Sequence, residues 1–151
     1  MFHRWARNYT FVEPDHIPWT SFEAPMARRR IALVTTAGVH LKSDPPFNMT
    51  DPAGDPDFRE IPYDVDLRDL TITHNYYDHG DADRDVNIVL PLERVRELAA
   101  FGEIGSVNHR HFSFMGHVLD RHLDTLIHQT SLQVAQKLKD DRVDVAILTP
   151  A

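Results

Sequence analysis

Short apolar runs alternate with stretches of helical period along this chain. Residues 31–36 (IALVTT) form a nearly continuous, β-branched apolar run, the pattern of a strand buried on both faces of a parallel sheet, and Ala37 and Gly38 end it. Residues 70–73 and 86–90 read as two further strands, separated by the polar stretch HNYYDHGDADRD. Pro91 suits the first turn of a helix whose apolar stripe is Leu92, Val95, Leu98 and Ala99, and Gly102 stands where its C-terminal cap belongs. A longer helix is predicted over about 120–139, with Leu123, Leu126, Ile127, Thr130, Val134 and Leu138 on one face and Lys137 and Lys139 in its last turn. Residues 143–148 (VDVAIL) form the last strand. This alternation predicts an α/β fold: a single layered domain over 30–151 with a mainly parallel sheet flanked by helices.

Two segments break the alternation. Residues 1–29 carry Trp5, Tyr9, Phe11, Trp19 and Phe22 among prolines 14, 18 and 25 with no regular period, so they read as an extended N-terminal arm. Its aromatics need a groove on the domain or on a second subunit, which makes a homo-oligomer the expected state. Residues 42–69 are rich in Pro, Asp and Gly, too long for a plain connection, and read either as a functional loop or as a surface loop pinned by Phe47 and Phe58. Arg28, Arg29 and Arg30 read as a solvated edge.

Composition narrows the function. A chain of 151 residues, 42% hydrophobic and 26% charged, suits one globular domain. Its net charge of -7 opposes phosphate backbones and anionic bilayers, so neither nucleic acid nor membrane is an expected partner. There is no cysteine, which excludes disulfides, cysteine-ligated metal and thiol catalysis within these residues. Residues 1–22 lack the apolar core of a secretory signal and no run is long enough for a membrane helix, which predicts a soluble cytoplasmic protein. The phosphate-binding and dinucleotide signatures GxGxxG and GxxxxGK[ST] are missing, as are GxSxG and HExxH, and no cofactor is assigned.

The densest polar constellation is His74, Asp78, His79, Asp81, Asp83 and Asp85, in the loop after a predicted strand. Imidazoles beside carboxylates suit a metal, a polar substrate pocket, or merely turns and caps. His40 lies just past the first strand and reads as a proton donor, a substrate ligand or a satisfied structural histidine. His111, close to Phe112, Phe114 and Met115, reads as packing or as a site residue. Because ligands of open parallel sheets collect at the carboxyl ends of strands, the candidate substrate-binding set is Thr36, His40, His74, Asp81, Asp83 and His111. The candidate supporting catalytic residues are His40, His74, Asp78 and His79. No metal ligand is assigned in this leading reading. A metal-binding protein or metal-dependent enzyme built on the loop from His74 to Asp85, and a non-catalytic assembly subunit, are the alternatives. His117, His122 and His128 read as surface or interface residues near or on the long helix.

The segments IPWTSFEAP (17–25), RIALVTTAGVHL (30–41), DPPF (44–47), DPAGDPDFREIP (51–62), THNYYDHGDADRDVNIVLPLERVRELAAFGEIGSV (73–107), HFSFMG (111–116) and VDVAILTP (143–150) resemble selenoprotein B. This is the family of glycine, sarcosine, betaine and D-proline reductases, including short stand-alone members. The resemblance covers nearly the whole chain. It implies that the strand VDVAILTP runs into a reactive selenocysteine or cysteine segment, so the domain is expected to be truncated after Ala151. A UGA codon read as a stop, or a chosen boundary, would both produce this ending. The implied activity is reduction of a small substrate by a selenol or thiol, with electrons from a dithiol or a partner protein. The 151-residue form, lacking that residue, is expected to be inactive.

Overall fold

The computed structural model describes residues 15–17 and 19–151. Strand β1 (Arg30–Thr35) is the axis of the main sheet, because it is apolar on both sides and Ile31, Ala32 and Leu33 are fully covered. It pairs in parallel with β5 (Ser106–Val107) and β6 (Arg110–Phe114) along one edge, and with β7 (Val145–Thr149) along the other. Strand β3 (Phe58–Pro62) adds antiparallel to β6, completing a mainly parallel five-stranded sheet. Successive side chains point to opposite faces, so each strand feeds two cores. On one face Ile31 and Leu33 pack with Leu92 and Val95 of helix α1 (Leu92–Ala100). On the other, Phe112 and Phe114 pack with Val134 and partly buried Phe58. Each such fully buried apolar side chain stabilises the fold by roughly 1.5–3 kcal/mol.

Both helices lie where the periodicity places them. Gly102, at φ +75°, donates its N–H to Ala99 and stops α1, although Leu98 of the expected stripe is 41% exposed. The second helix is continuous but contains a wider turn: α2 (Arg121–Thr125), a π turn (Leu126–Thr130) and α3 (Ser131–Asp140). The wider turn keeps Leu126 and Thr130 toward the sheet, where the Thr130 hydroxyl donates to Pro56 at 2.8 Å, and leaves Ile127 40% exposed.

Three expectations are corrected. Residues 70–73 do form a strand, β4 (Leu70–Ile72), but it pairs antiparallel with β2 (Val39–Leu41) in a separate two-stranded sheet. Residues 86–90 are no strand. The Asp85 carboxylate accepts the Asn87 N–H at 3.0 Å and starts a 3-10 turn, Val86–Ile88, that delivers Val89 and Leu90 to the core. The last strand leaves Ile147 36% and Leu148 71% exposed, because β7 is an edge strand and α3 packs on β6 instead. Arg29 and Arg30 are more than a solvated edge, since Arg29 and the Arg30 N–H both bond Asp144 and the Arg30 guanidinium donates to the Asp141 carbonyl.

Within the segment 42–69 the chain forms β3 and buries Phe47, beneath the Arg59 guanidinium. In the arm, Trp19 is 88% exposed and Phe22 lies under Arg29, 4.9 Å from ring centroid to guanidinium. Trp5, Tyr9 and Phe11 lie outside the described residues. Among the described residues, no helix is long and apolar enough to cross a membrane.

Candidate functional site

Because β1 and β7 run parallel, their carboxyl ends finish side by side, and short polar residues tie them together. The Thr149 carbonyl accepts from the Thr36 N–H at 3.2 Å and from the Thr35 hydroxyl at 3.1 Å. The Ala151 N–H donates to Thr36 Oγ1 at 3.2 Å, and the Thr149 hydroxyl donates to the Val89 carbonyl at 2.7 Å. Strand β6 finishes at the same edge, with Met115 bridged to Ala37 and Gly116 following. A Cβ on Gly116 would lie 3.0 Å from the Thr36 carbonyl oxygen, 3.2 Å from that of Ala151 and 3.3 Å from His74 Nε2. Exposed Gly116 is therefore the point where three segments meet.

His74 reaches this point because the chain is pinned just before it. Thr73 donates to the Gly38 carbonyl at 2.9 Å, and Gly38 takes φ +70° with the Thr73 carbonyl only 2.6 Å from where a Cβ would be. The His74 ring is 3% exposed, with Nδ1 facing the Tyr76 N–H and Nε2 facing the Gly116 N–H, each at 3.1 Å. Burial, and secondarily the charges of His117 and His79, hold its pKa below the ordinary imidazole value, so it is neutral at pH 7. Tyr77 packs edge-on to His74 at 4.8 Å and donates its hydroxyl to the Ala37 carbonyl; burial, helped by Asp83, pushes its phenol up to about 12. Tyr76 stacks on His117 at 3.6 Å and 15°, while His117 Nε2–H donates to the Pro52 carbonyl.

These groups offer amide, hydroxyl and imidazole hydrogen bonds beside an aromatic surface. They can bind and orient a small polar molecule, but none is a two-electron redox couple.

The expected site residues divide. Thr36 and His74 lie at the joined strand ends. His40 is held within the small sheet, donating Nδ1–H to the Leu41 carbonyl and accepting from the Thr73 hydroxyl, both at 2.8 Å, with Phe47 against its ring. It is 3% exposed and structurally satisfied. His111 is wholly buried in the sheet, where its Nδ1 accepts the Leu33 N–H at 3.0 Å. Asp78 caps the Gly80 N–H, His79 donates to Asp83 at 2.8 Å, and Asp81 pairs with Arg84 in solvent. Asp83 bonds His79, whose ring is 5.6 Å from Tyr77, and its charge also acts on the Tyr77 phenol. Among the described residues, no three His, Asp or Glu side chains are grouped to hold a metal, and both His74 nitrogens face backbone N–H groups. The metal alternative therefore lacks a ligand set there.

A cavity of about 560 Å³ lies elsewhere, lined by residues including Lys42, Arg68, Asp83, Asp85 and Glu93. Several of its polar groups are engaged locally, Lys42 with the Arg68 carbonyl and both Asp85 and Glu93 with Asn87. The candidate site is the strand ends, where Thr36, His74 and the exposed Gly116 meet. Gly116, Tyr76 and Tyr77 escaped the sequence reading, and His117 belongs beside them rather than to the helix surface. A lone glycine directly after HFSFM was the available signal.

Comparison with known proteins adds the lineage. Residues 3–151 match the family described as glycine/sarcosine/betaine reductase selenoprotein B. The D-proline reductase subunit gamma of Acetoanaerobium sticklandii is 37% identical over 141 residues, covering 93% of this chain and 56% of that protein. The glycine reductase complex component B subunits gamma of Symbiobacterium thermophilum and Carboxydothermus hydrogenoformans are each 28% identical, over 96% and 95% of this chain and 34% of their own lengths. The chain thus spans between a third and somewhat over half of the curated relatives it matches. No solved structure matches it. The family match over nearly the whole chain and the similarity to these reductase subunits agree, and the chain belongs to the selenoprotein B family of glycine, sarcosine and betaine reductases.

Proposed function

We propose that this chain is the substrate-orienting core of a cytoplasmic selenoprotein B-type reductase component, and that a selenol or thiol following Ala151 supplies the redox chemistry. The supporting observation is the convergence of Thr36, His74 and Gly116 on the backbone of Ala151 at the carboxyl edge of the sheet. A reactive residue just beyond Ala151 would enter a site already provided with donors and an aromatic wall. A selenolate is ionised at neutral pH, whereas a thiolate there would need its pKa lowered by its surroundings. The substrate is a small amino-acid-derived molecule of the kind named for the relatives. Its two electrons come from a dithiol or a partner protein, which leaves as a disulfide. Since the relatives are named as subunits, assembly with other chains belongs to the same reading, and the open edge of β7 also favours a homo-oligomer.

Extending the chain through the following family segment, with cysteine or selenocysteine after the last strand, tests this. The extended form should be labelled by iodoacetamide and should reduce D-proline or glycine with dithiothreitol, while the 151-residue form does neither. Turnover by the 151-residue chain alone, or an extended residue that never reacts, would overturn it.

A further inference from the structure

Strand β4 has one paired edge, against β2. The Thr73 N–H donates to the Gly38 carbonyl at 2.9 Å and the Lys42 N–H to the Asp69 carbonyl at 2.8 Å, on either side of the His40–Thr71 pair. Bonded and non-bonded pairs alternate in an antiparallel ladder, so Thr71 turns its N–H and C=O to β2. Ile72 turns both of its groups, and Leu70 its C=O, to the opposite edge; the Leu70 N–H closes the preceding turn on Leu67. Among the described residues no strand pairs with that edge. All three residues of β4 line the cavity of about 560 Å³, a volume usual for a ligand pocket. Partly buried Leu67, Ile72 and Val86 make part of its wall apolar, and Asp83, Arg84 and Asp85 open it to solvent.

We propose that the open edge of β4 docks an extended, basic segment of a partner protein, which joins the small sheet as a third strand. Ile72 and Leu70 supply the backbone hydrogen bonds of strand addition, and alternate side chains of the incoming segment fall on the apolar wall. Charge selects a basic segment. The cavity holds Asp83, Asp85 and Glu93 beside Lys42, Arg68 and Arg84. A second cavity, of about 610 Å³, adjoins it at Lys42 and adds Asp64, Asp66 and Asp69. The cations are already engaged: Arg68 pairs with Asp66, Arg84 with Asp81, and Lys42 donates to the Arg68 carbonyl at 2.7 Å. Among the described residues, none of the three pairs with Asp83, Asp85 or Glu93, and the last two share the Asn87 amide at 2.9 Å. The groove therefore presents an acidic field to an incoming lysine or arginine. A second copy of this chain, with its net charge of -7, is repelled by the same field. The groove is separate from the joined strand ends, so the inference goes beyond the redox reading.

NMR on the 151-residue protein tests it, with an acetylated hexapeptide amide of alternating valine and lysine as the probe. In the free protein the Ile72 amide should exchange its proton with water faster than the Thr71 amide, which is held in the ladder. The peptide should bind saturably, shift the Ile72 amide and slow its exchange by about tenfold or more, and bind more weakly as salt is added. A peptide with glutamate in place of lysine, and one N-methylated at every residue, should not bind. Asp85→Asn, which keeps an acceptor for the Asn87 N–H, combined with Glu93→Gln should weaken binding about threefold or more at low salt. Should that double variant fold poorly, the salt dependence and the glutamate peptide decide the matter on the unaltered protein. Exchange at Ile72 as slow as at Thr71 in the free protein, binding that ignores salt, equal binding of the glutamate peptide, or equal competition by free lysine would overturn the groove.

Discussion

Acidification should weaken this fold in part through His111. It is completely buried on β6, and its Nδ1 accepts the Leu33 N–H of β1, so the neutral ring carries its proton on Nε2. That Nε2 has no partner among the described residues. Protonation would set a second N–H against the Leu33 N–H and place a cation in the core. Burial first, then the charges of Arg96 and His109, push its pKa from the ordinary 6.5 down to about 4. The unfolded chain therefore takes up this proton at higher pH than the folded one does. The stabilisation is complete above about pH 6.5 and is lost as pH falls toward about 4, with a slope approaching 1.4 kcal/mol per pH unit. Integration gives about 2 kcal/mol lost by pH 5 and about 3 kcal/mol by pH 4, a substantial part of the roughly 5–15 kcal/mol that stabilises a typical domain. Urea unfolding followed by circular dichroism measures it, comparing the protein with His111→Asn, whose amide oxygen keeps an acceptor for Leu33 but does not titrate. The variant starts less stable, and the gap should narrow by about 2 kcal/mol between about pH 7.5 and pH 5. His74, also shifted downward by burial, is present in both and cancels. Parallel stability profiles, or an NMR titration of His111 with its midpoint at or above pH 6, would refute the reasoning.

Three other outcomes are expected. Asp141, whose side chain is 7% exposed, accepts from Arg110 at 2.7 and 2.8 Å and from Asn108 at 2.9 Å, so Asp141→Asn should cost about 3 kcal/mol in urea unfolding. A loss below about 1 kcal/mol would make the pair an ordinary surface contact. Gly38→Ala combines a left-handed backbone with a Cβ 2.6 Å from the Thr73 carbonyl, and it should cost about 2 kcal/mol or more and disturb the His74 NMR signals. Unchanged signals would show that the Gly38–Thr73 contact does not place His74. Under the proposed association through β7, the protein should show concentration-dependent light scattering, and Leu148→Lys on that open edge strand should abolish it while changing stability by less than about 0.5 kcal/mol. Identical scattering from both proteins would leave β7 out of any interface.

The elements legible in the sequence were those whose local pattern and burial coincide. β1 reads as a strand because nearly every residue of 31–36 is apolar or β-branched and nearly all of them are covered, and α1 and the long helix carry helical stripes that meet the sheet. The resemblance to selenoprotein B was likewise present in local segments. Residues 86–90 were not legible, since a short buried apolar run is compatible with a strand or a turn, and the Asp85 cap decides between them. β6 was hidden because His111 and Ser113 occupy positions where a buried strand ordinarily shows apolar residues. Histidines were the least legible of all. His40, His74 and His111 are each 3% exposed or less, yet one is satisfied inside a small sheet, one faces the joined strand ends and one bonds the neighbouring strand's backbone. Nothing in the spacing of these residues distinguishes those fates. The chain by itself determined β1, the two helices and the family, through periodicity and local similarity. The tertiary structure alone decided which polar groups meet, because Thr36, His74, Gly116 and Ala151 are brought together only when parallel strands end at one edge and a glycine leaves room between them.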